Sequence, residues 1–111
     1  MNITTTLKNF GLTANQTKVY LAALELGDAR AQDIAKRARV LRQTTYEVLD
    51  SLSAMGLLNH YTSRGVRKYV PESPARLEQI LDERKREIAR AMPELKAIFQ
   101  ESGSYRPRVK Y

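Results

Sequence analysis

The side chains able to do chemistry in this sequence are mostly cations, and they concentrate in two short segments. Between Arg30 and Tyr46, five basic residues are opposed only by Asp33, and between Thr62 and Pro71 three basic residues are opposed by no acid. A solvated surface is the alternative interpretation of one such run, but two runs together favour a polyanionic partner such as nucleic acid. The basic residues are Arg30, Lys36, Arg37, Arg39, Arg42, Arg64, Arg67 and Lys68.

The sequence contains few residues that could catalyse a reaction or bind a metal ion. The 111 residues include no cysteine and one histidine, His60, so the sequence predicts no thiol chemistry and no metal site. There is no glycine-rich phosphate loop and no nucleophile with a base at a useful spacing. Acidic and basic residues alternate between 76 and 90, which is typical of a solvated, ion-paired helix face. We therefore expect neither an enzyme nor a bound cofactor.

Glycine, proline and capping residues divide the chain into the elements that must position the cations. Thr13 and Gln16 have the spacing of a capping box, and Gly11, Gly27 and Gly56 stand where helices should end. Pro93 lies inside the last predicted helix, where we expect a kink or a break. The pattern predicts helices at about 4–10, 14–26, 31–38, 42–55 and 73–101, and β-prone runs at 57–62 and 66–71 around a turn at 63–65.

Apolar residues at helical spacing predict which side chains form the core of these elements. The second helix should bury one apolar stripe, the third a shorter one, and the fourth a face opposite its polar residues. In the hairpin, whose strands alternate poorly, we expect one inward residue on each strand. The predicted core residues are Val19, Tyr20, Ala23, Leu24, Leu26, Ile34, Ala35, Leu41, Thr45, Val48, Leu49, Leu52, Leu58 and Tyr69.

This order of elements predicts a mainly α protein with a small β-hairpin, an α+β fold of the winged helix-turn-helix type. The tight turn at 39–41 joins the two helices of the motif, and helix 42–55 would enter the major groove of DNA. The hairpin at 57–71 would form the wing on the DNA backbone or in the minor groove. A long coiled-coil-like helix follows.

The DNA-contacting residues are predicted from the start of the recognition helix and from the wing. An amide such as Gln43 can pair with adenine, and Arg42 can pair with guanine or phosphate. Tyr46 has a second interpretation, as a half-buried residue that bridges to the wing. Lys18 and Gln32 would contact phosphates near helix starts, or simply lie on the surface. The full set is Lys18, Gln32, Arg39, Arg42, Gln43, Thr44, Tyr46, Arg64, Arg67 and Lys68.

An apolar seam along the last helix predicts a homodimer. Its residues follow a heptad pattern with one miss, at Arg84. A two-fold axis between subunits would present two recognition helices to an inverted-repeat operator in double-stranded DNA. We therefore expect a DNA-binding domain at 1–72, a dimerisation helix at 73–101 and a linker or tail at 102–111. The seam residues are Leu77, Leu81, Ile88, Ala91, Leu95 and Ile98.

Several segments resemble the TrmB family of archaeal and bacterial sugar-responsive regulators. The resemblance covers about residues 7–100, although MarR- and ArsR-like winged helices share parts of it. The chain departs from the family where Arg39 and Leu41 replace the glycine and proline that are common in the turn. The matching segments are Phe10–Thr13, Val19–Leu24 with Gly27, Arg42 with Tyr46–Leu49, Ser51–Leu52, Gly56–Leu57 and Lys68–Pro71.

The resemblance implies a coiled-coil helix that joins two subunits and a larger sugar-binding effector domain beyond it. The basic tail at 106–111 resembles the first strand of such a domain, so we expect a DNA-binding fragment of a longer protein or a natural short form. A sugar effector is expected only if that further domain exists. The first ten residues lack a signal sequence and no apolar run could span a membrane, so a cytoplasmic protein is expected. The rival functions are a winged helix that binds proteins in a transcription or chromatin assembly, and one that binds RNA.

Overall fold

A computed structural model describes residues 2–102 of the protein. The chain divides into two units, Met1–Arg76 and Leu77–Tyr111. The predicted mainly α fold with one β-hairpin is confirmed. The tail predicted at 102–111 lies, from residue 103 onward, outside the described residues. In chain order the elements are α1 (Ile3–Phe10), α2 (Ala14–Leu26), α3 (Ala31–Ala38), α4 (Arg42–Ala54), β1 (Leu58–Ser63), β2 (Val66–Pro71) and α5 (Ala75–Glu101).

Side-chain caps begin α2 and α5 at the residues that the sequence indicated. The Thr13 hydroxyl accepts from the Gln16 backbone N–H at 3.0 Å, and the Gln16 side chain accepts from the Thr13 N–H at 2.9 Å. The capping box is therefore confirmed. The Ser73 hydroxyl accepts from the Ala75 N–H at 3.2 Å, as expected for the start of the last helix.

Three helices end in the same two-bond motif, in which a left-handed residue turns the chain and two backbone N–H groups return to the last turn. After α3, Val40 N–H donates to Ala35 O at 3.1 Å and Arg39 N–H donates to Lys36 O at 3.3 Å. Gly11 and Gly56 hold the equivalent position after α1 and α4. Arg39 adopts φ 59 and ψ 44, so an L-residue occupies a conformation that favours glycine.

The core of the first unit forms where α2, α3 and α4 pack against one another. Most of the predicted core residues are confirmed, and Leu24 is half-buried. Leu26 was predicted to be buried and is exposed instead, because it is the last residue of α2, where less of the core covers the helix. The buried members of the predicted set are Val19, Tyr20, Ala23, Ile34, Ala35, Thr45, Val48, Leu49, Leu52, Leu58 and Tyr69.

Leu41 was also predicted to lie in the core, and this prediction is wrong because its side chain is 79% exposed. The residue precedes the first turn of α4, with φ −54 and ψ 142, so the helical period used to place it does not apply there. Its carbonyl accepts from the Thr45 backbone N–H and from the Thr45 hydroxyl, each at 2.9 Å. The core therefore takes Thr45 and leaves the Leu41 side chain in solvent.

The hairpin pairs β1 and β2 antiparallel, with His60 opposite Tyr69 and Ser63 opposite Val66. Arg64 (φ 52) and Gly65 (φ 76) form a two-residue turn, one residue shorter than predicted. A third short segment joins the hairpin at Ala29. Its N–H donates to Tyr69 O at 3.1 Å, and Tyr69 N–H donates to Ala29 O at 2.8 Å. This pairing attaches β2 to the start of α3.

Helix α5 is continuous from Ala75 to Glu101 with Pro93 inside it, so the expected break is absent, whereas the alternative of a kink stays a prediction. Of the predicted seam, Leu77 and Ala91 are half-buried. The other four residues are exposed, and exposed Met92 and Phe99 widen the apolar stripe. No helix within residues 2–102 is both long and apolar enough to cross a membrane.

Candidate nucleic-acid interface

The two helices of the helix-turn-helix motif begin differently from the helices before them. Asn2 and Thr13 cap α1 and α2 with their side chains. Within the described part of the chain, α3 and α4 begin after Arg30 and Leu41 without any side-chain cap. The first N–H groups of such helices carry positive partial charge and suit phosphate oxygens. Both uncapped ends therefore add to the positive character of this surface.

The first turn of α4 presents a cation, two polar side chains and an aromatic ring. Arg42 Nη2 donates to the Tyr46 hydroxyl at 3.4 Å, and its Cζ lies 5.9 Å from the centroid of the Tyr46 ring. Tyr46 is 40% exposed. Gln43 is exposed and Thr44 is half-buried. The turn thus offers solvent the donor and acceptor groups that pair with base edges.

Arg30, immediately before α3, is positioned by two neighbours on that helix. Its Nε donates to Asp33 Oδ2 at 3.2 Å. With the Gln32 amide oriented so that its oxygen faces the guanidinium, that oxygen accepts from Arg30 Nη2 at 2.9 Å and from Nη1 at 3.2 Å. The pairing of Ala29 with Tyr69 places this arginine beside the hairpin. Arg30 therefore belongs to the wing surface as well as to α3.

The two cations on β2 lie on opposite faces of the hairpin, because consecutive residues of a strand alternate. Arg67 pairs with Thr62, on the face that also carries Tyr69, whereas Lys68 pairs with Tyr61. The Tyr61 hydroxyl donates to Asp28 Oδ2 at 2.6 Å. This hydrogen bond to Asp28 raises the pKa of Tyr61 above its ordinary value. It also ties the hairpin to the connection between α2 and α3.

Three adjacent surface clefts run from the α3–α4 turn to the tip of the hairpin. The first and second share Gln32 and Arg42, and the second and third share Arg30 and Val66, so they form one surface. No Asp or Glu of the described chain lines any of the three. We call the cations that line them the basic face: Arg30, Lys36, Arg39, Arg42, Arg64, Arg67 and Lys68.

The structure brings together most of the residues that the sequence singled out. Gln43 and Thr44 do not line the clefts but lie beside Arg42 in the first turn of α4. Lys18 is exposed on α2 and lines none of the three clefts, so its contact with DNA stays a prediction. The predicted residues that do line the clefts are Gln32, Arg39, Arg42, Tyr46, Arg64, Arg67 and Lys68.

Two cations and one exposed leucine of this surface were not among the site residues predicted from the sequence. Arg30 and Lys36 belonged to a recognised basic run but were not assigned contacts, and Leu41 was assigned to the core. Placing Arg30 requires the long-range pairing of Ala29 with Tyr69, for which the sequence carries no local signal. Leu41 could have been found from its place in the turn, since a residue that precedes a helix does not follow the helical period.

The remaining candidate chemistry contributes little to this surface. The His60 ring packs edge-on against Tyr69 at 6.0 Å between centroids, as a residue of the hairpin. Within residues 2–102, no group of three or more His, Asp or Glu side chains is arranged to hold a metal ion.

Comparison with solved structures places the fold among winged helices. The archaeal chromatin protein TrmBL2, whose structure shows its mode of DNA binding, aligns with 98% of this chain and 43% of its own, at 24% identity and a TM-score of 0.72. A MarR family protein from Bacillus stearothermophilus aligns with 86% of this chain and 73% of its own, at 20% identity and a TM-score of 0.55. At these identities the likeness concerns the fold.

Sequence comparison identifies the family. The chain is 33% identical over 97 residues to the HTH-type sugar sensing transcriptional regulator TrmBL1 of Pyrococcus furiosus. That alignment covers 86% of this chain and 27% of the relative, so the chain spans about a quarter of the relative's length. The family model described as sugar-specific transcriptional regulator TrmB matches residues 7–75. The chain therefore belongs to the TrmB family, a family of DNA-binding winged-helix transcriptional regulators and not of enzymes.

Proposed function

We propose that this protein binds double-stranded DNA sequence-specifically, with α4 in the major groove and the β1–β2 hairpin as a wing on the backbone or in the minor groove. The observation that carries the proposal is the basic face, whose seven cations line three joined clefts without a carboxylate. Such a surface attracts the phosphates on both sides of a groove. Arg42, in the exposed first turn of α4, lines two of the three clefts, and from this position the turn would reach the base edges.

Base recognition is assigned to the first turn of α4. Gln43 is exposed and can pair through its amide with adenine, and Thr44 can donate or accept. Arg42 is held near Tyr46 in the free protein, by a long hydrogen bond that leaves most of its donors available. In this proposal Arg42 pairs with guanine or phosphate, and Tyr46 packs on a thymine methyl or hydrogen-bonds a phosphate.

Phosphate contact is assigned to the cations around this turn. Arg64 stands at the tip of the hairpin, Arg67 faces the α4 side and Lys68 faces away from it. Arg30 immediately precedes the uncapped start of α3, where a cation and N–H groups can act on the same phosphate, and Arg39 lies in the turn two residues before the N-cap of α4.

Dimerisation is assigned to α5. Leu81, Ile88, Leu95 and Ile98 are each about half exposed, and they recur at heptad spacing along one stripe. A second copy of the helix would remove these side chains from water. The dimer would then address an inverted repeat whose half-sites lie about one DNA turn apart, or a multiple of that.

The proposed function is tested by selecting bound duplexes from a random-sequence DNA library and measuring affinity for the selected duplex by gel shift. Unlabelled random duplex DNA and duplex RNA serve as competitors. We expect an enriched inverted repeat that binds at least about a thousandfold tighter than random DNA. Equal competition by RNA, or binding without an enriched sequence, would contradict sequence-specific DNA binding.

Single variants separate base contacts from phosphate contacts. Gln43→Ala should weaken binding to the selected duplex by about 1–3 kcal/mol and leave binding to random DNA unchanged. Arg64→Ala should weaken both and reduce the slope of log affinity against log salt by about one. Arg37→Ala is the matched control, because Arg37 carries the same charge, is exposed and bonded to Glu25 at 2.9 Å, and lies outside the clefts. An equal effect of Arg37→Ala would show that net charge alone acts.

The dimer is tested by sedimentation of a double variant, Ile88→Gln with Leu95→Gln. We expect it to sediment as a monomer at concentrations where the unaltered protein is a dimer. The control, Arg86→Gln with Lys96→Gln, alters exposed polar residues elsewhere on α5 and should remain dimeric. If the apolar double variant dimerises as tightly as the control, the stripe is not the interface.

A further inference from the structure

Leu41 is the most exposed of the large apolar side chains in the described chain, and it stands at the leading end of the candidate recognition helix. It lines the first cleft together with Ala35 and Val40, and the same cleft is bordered by Lys36, Arg39 and Arg42. A small apolar surface is therefore surrounded by cations.

The fold does not use the Leu41 side chain, which lies outside the core. Its side chain caps nothing, because only its backbone carbonyl bonds to Thr45. Two features fix where the side chain points. The left-handed Arg39 turns the chain out of α3, and the two hydrogen bonds from Thr45 hold the Leu41 carbonyl at the start of α4. The side chain is thus presented to solvent from a constrained backbone.

A partner for this side chain must be apolar and must lie between negative charges. In the major groove, base edges present hydrogen-bonding groups and a single kind of apolar group, the 5-methyl of thymine. The phosphates on either side of the groove would meet Lys36, Arg39 and Arg42. An apolar side chain flanked by cations thus matches a thymine methyl flanked by phosphates in double-stranded DNA.

We propose that Leu41 is a specificity-determining residue that recognises a thymine by packing on its 5-methyl group. The proposal rests on the proposed function, since it requires α4 in the major groove. It adds an aliphatic contact to the polar and aromatic contacts proposed for the first turn of α4. Burial of one methyl group against leucine should change the dissociation constant about fourfold.

The test compares thymine with deoxyuridine, which has the same hydrogen-bonding groups and lacks only the methyl. The probe is the duplex of highest affinity from the random-sequence library, with each thymine replaced singly by deoxyuridine. The proteins are the unaltered chain, Leu41→Ala and the control Ile3→Ala, which truncates an exposed apolar residue of α1 away from the clefts. Thermal unfolding should show that both variants fold, since both side chains are largely solvent-exposed.

At one or two positions, deoxyuridine should weaken DNA binding by the unaltered protein and by Ile3→Ala about fourfold. At the same positions, binding by Leu41→Ala should not weaken. The salt dependence of Leu41→Ala should be unchanged, because leucine contacts no phosphate. Two results would overturn the proposal while leaving DNA binding intact. In the first, deoxyuridine weakens binding by the unaltered protein at no position. In the second, it weakens binding by Leu41→Ala as much as binding by the unaltered protein. Failure of the unaltered protein to bind any duplex would instead overturn the proposed function, and this proposal with it.

Discussion

Replacing Arg39 with glycine should make the protein more stable and a weaker DNA binder. Arg39 holds the left-handed position after α3 with φ 59 and ψ 44, where Gly11 and Gly56 stand after two other helices. The backbone bonds of this turn involve Ala35 O and Lys36 O and do not use the arginine side chain. The side chain instead lines the first cleft of the basic face. Arg39 therefore lowers the stability of the fold through its backbone conformation and adds a positive charge to the basic face.

The magnitude follows from two opposing terms. An L-residue in the left-handed region costs roughly 1–2 kcal/mol, which glycine does not incur. Glycine also gives the unfolded chain more freedom, which costs about 0.5–1 kcal/mol. The net gain in the free energy of unfolding should be about 0.5–1 kcal/mol, or a few degrees in melting temperature for a domain of this size.

Two further variants separate the backbone effect from the charge effect. Arg39→Ala removes the same cation and keeps the left-handed strain, so its stability should stay near that of the unaltered protein. Lys36→Gly places glycine inside α3 and should lose about 1 kcal/mol. Urea unfolding measures all three variants, with an unchanged slope required for comparison. Both Arg39 variants should lose about one unit of salt dependence in DNA binding.

The result that refutes this reasoning is an Arg39→Gly protein that is no more stable than Arg39→Ala. The strain at φ 59 would then be absent or relieved elsewhere. If the two Arg39 variants bind DNA as tightly as the unaltered protein, the arginine contacts no phosphate and the basic face is smaller than described.

Three further changes should give measurable effects. Gly56→Ala should lower the free energy of unfolding by about 2 kcal/mol, because the backbone has φ +81 and the new Cβ would lie 2.8 Å from Arg76 Nε; a urea midpoint equal to that of the unaltered protein contradicts this. Tyr20→Phe should be neutral or stabilising by up to about 1 kcal/mol, because the buried hydroxyl finds no partner among the described residues, and a calorimetric loss of stability would show otherwise. The raised pKa of Tyr61 means that its hydrogen bond to Asp28 stabilises the folded state fully below pH 10.0 and that this contribution is lost as the pH rises through the raised pKa. Tyr61→Phe should therefore lose less stability than the unaltered protein over that alkaline range. Identical pH profiles of stability for the two proteins exclude the bond.

The order of elements was predictable because it depends on local signals. The capping box at Thr13, the helix stop at Gly11 and the turn before Gly65 each act over a few residues. The pairing of Ala29 with Tyr69 joins segments forty residues apart and leaves no local pattern, so the position of Arg30 beside the hairpin could not be predicted. Leu41 was misplaced because a helical period was extended one residue past the helix.

The Ala29–Tyr69 pair separates the base of the hairpin, which is bonded to the segment before α3, from its tip. At its base, β2 is bonded on both edges, to β1 and to the segment before α3. From Lys68 to the tip, β2 is paired with β1 alone among the described residues. Amide hydrogen exchange should therefore slow sharply at Tyr69 relative to Val66. In the proposed complex with DNA, the tip of the hairpin could follow changes in groove width while its base stays bonded to the segment before α3.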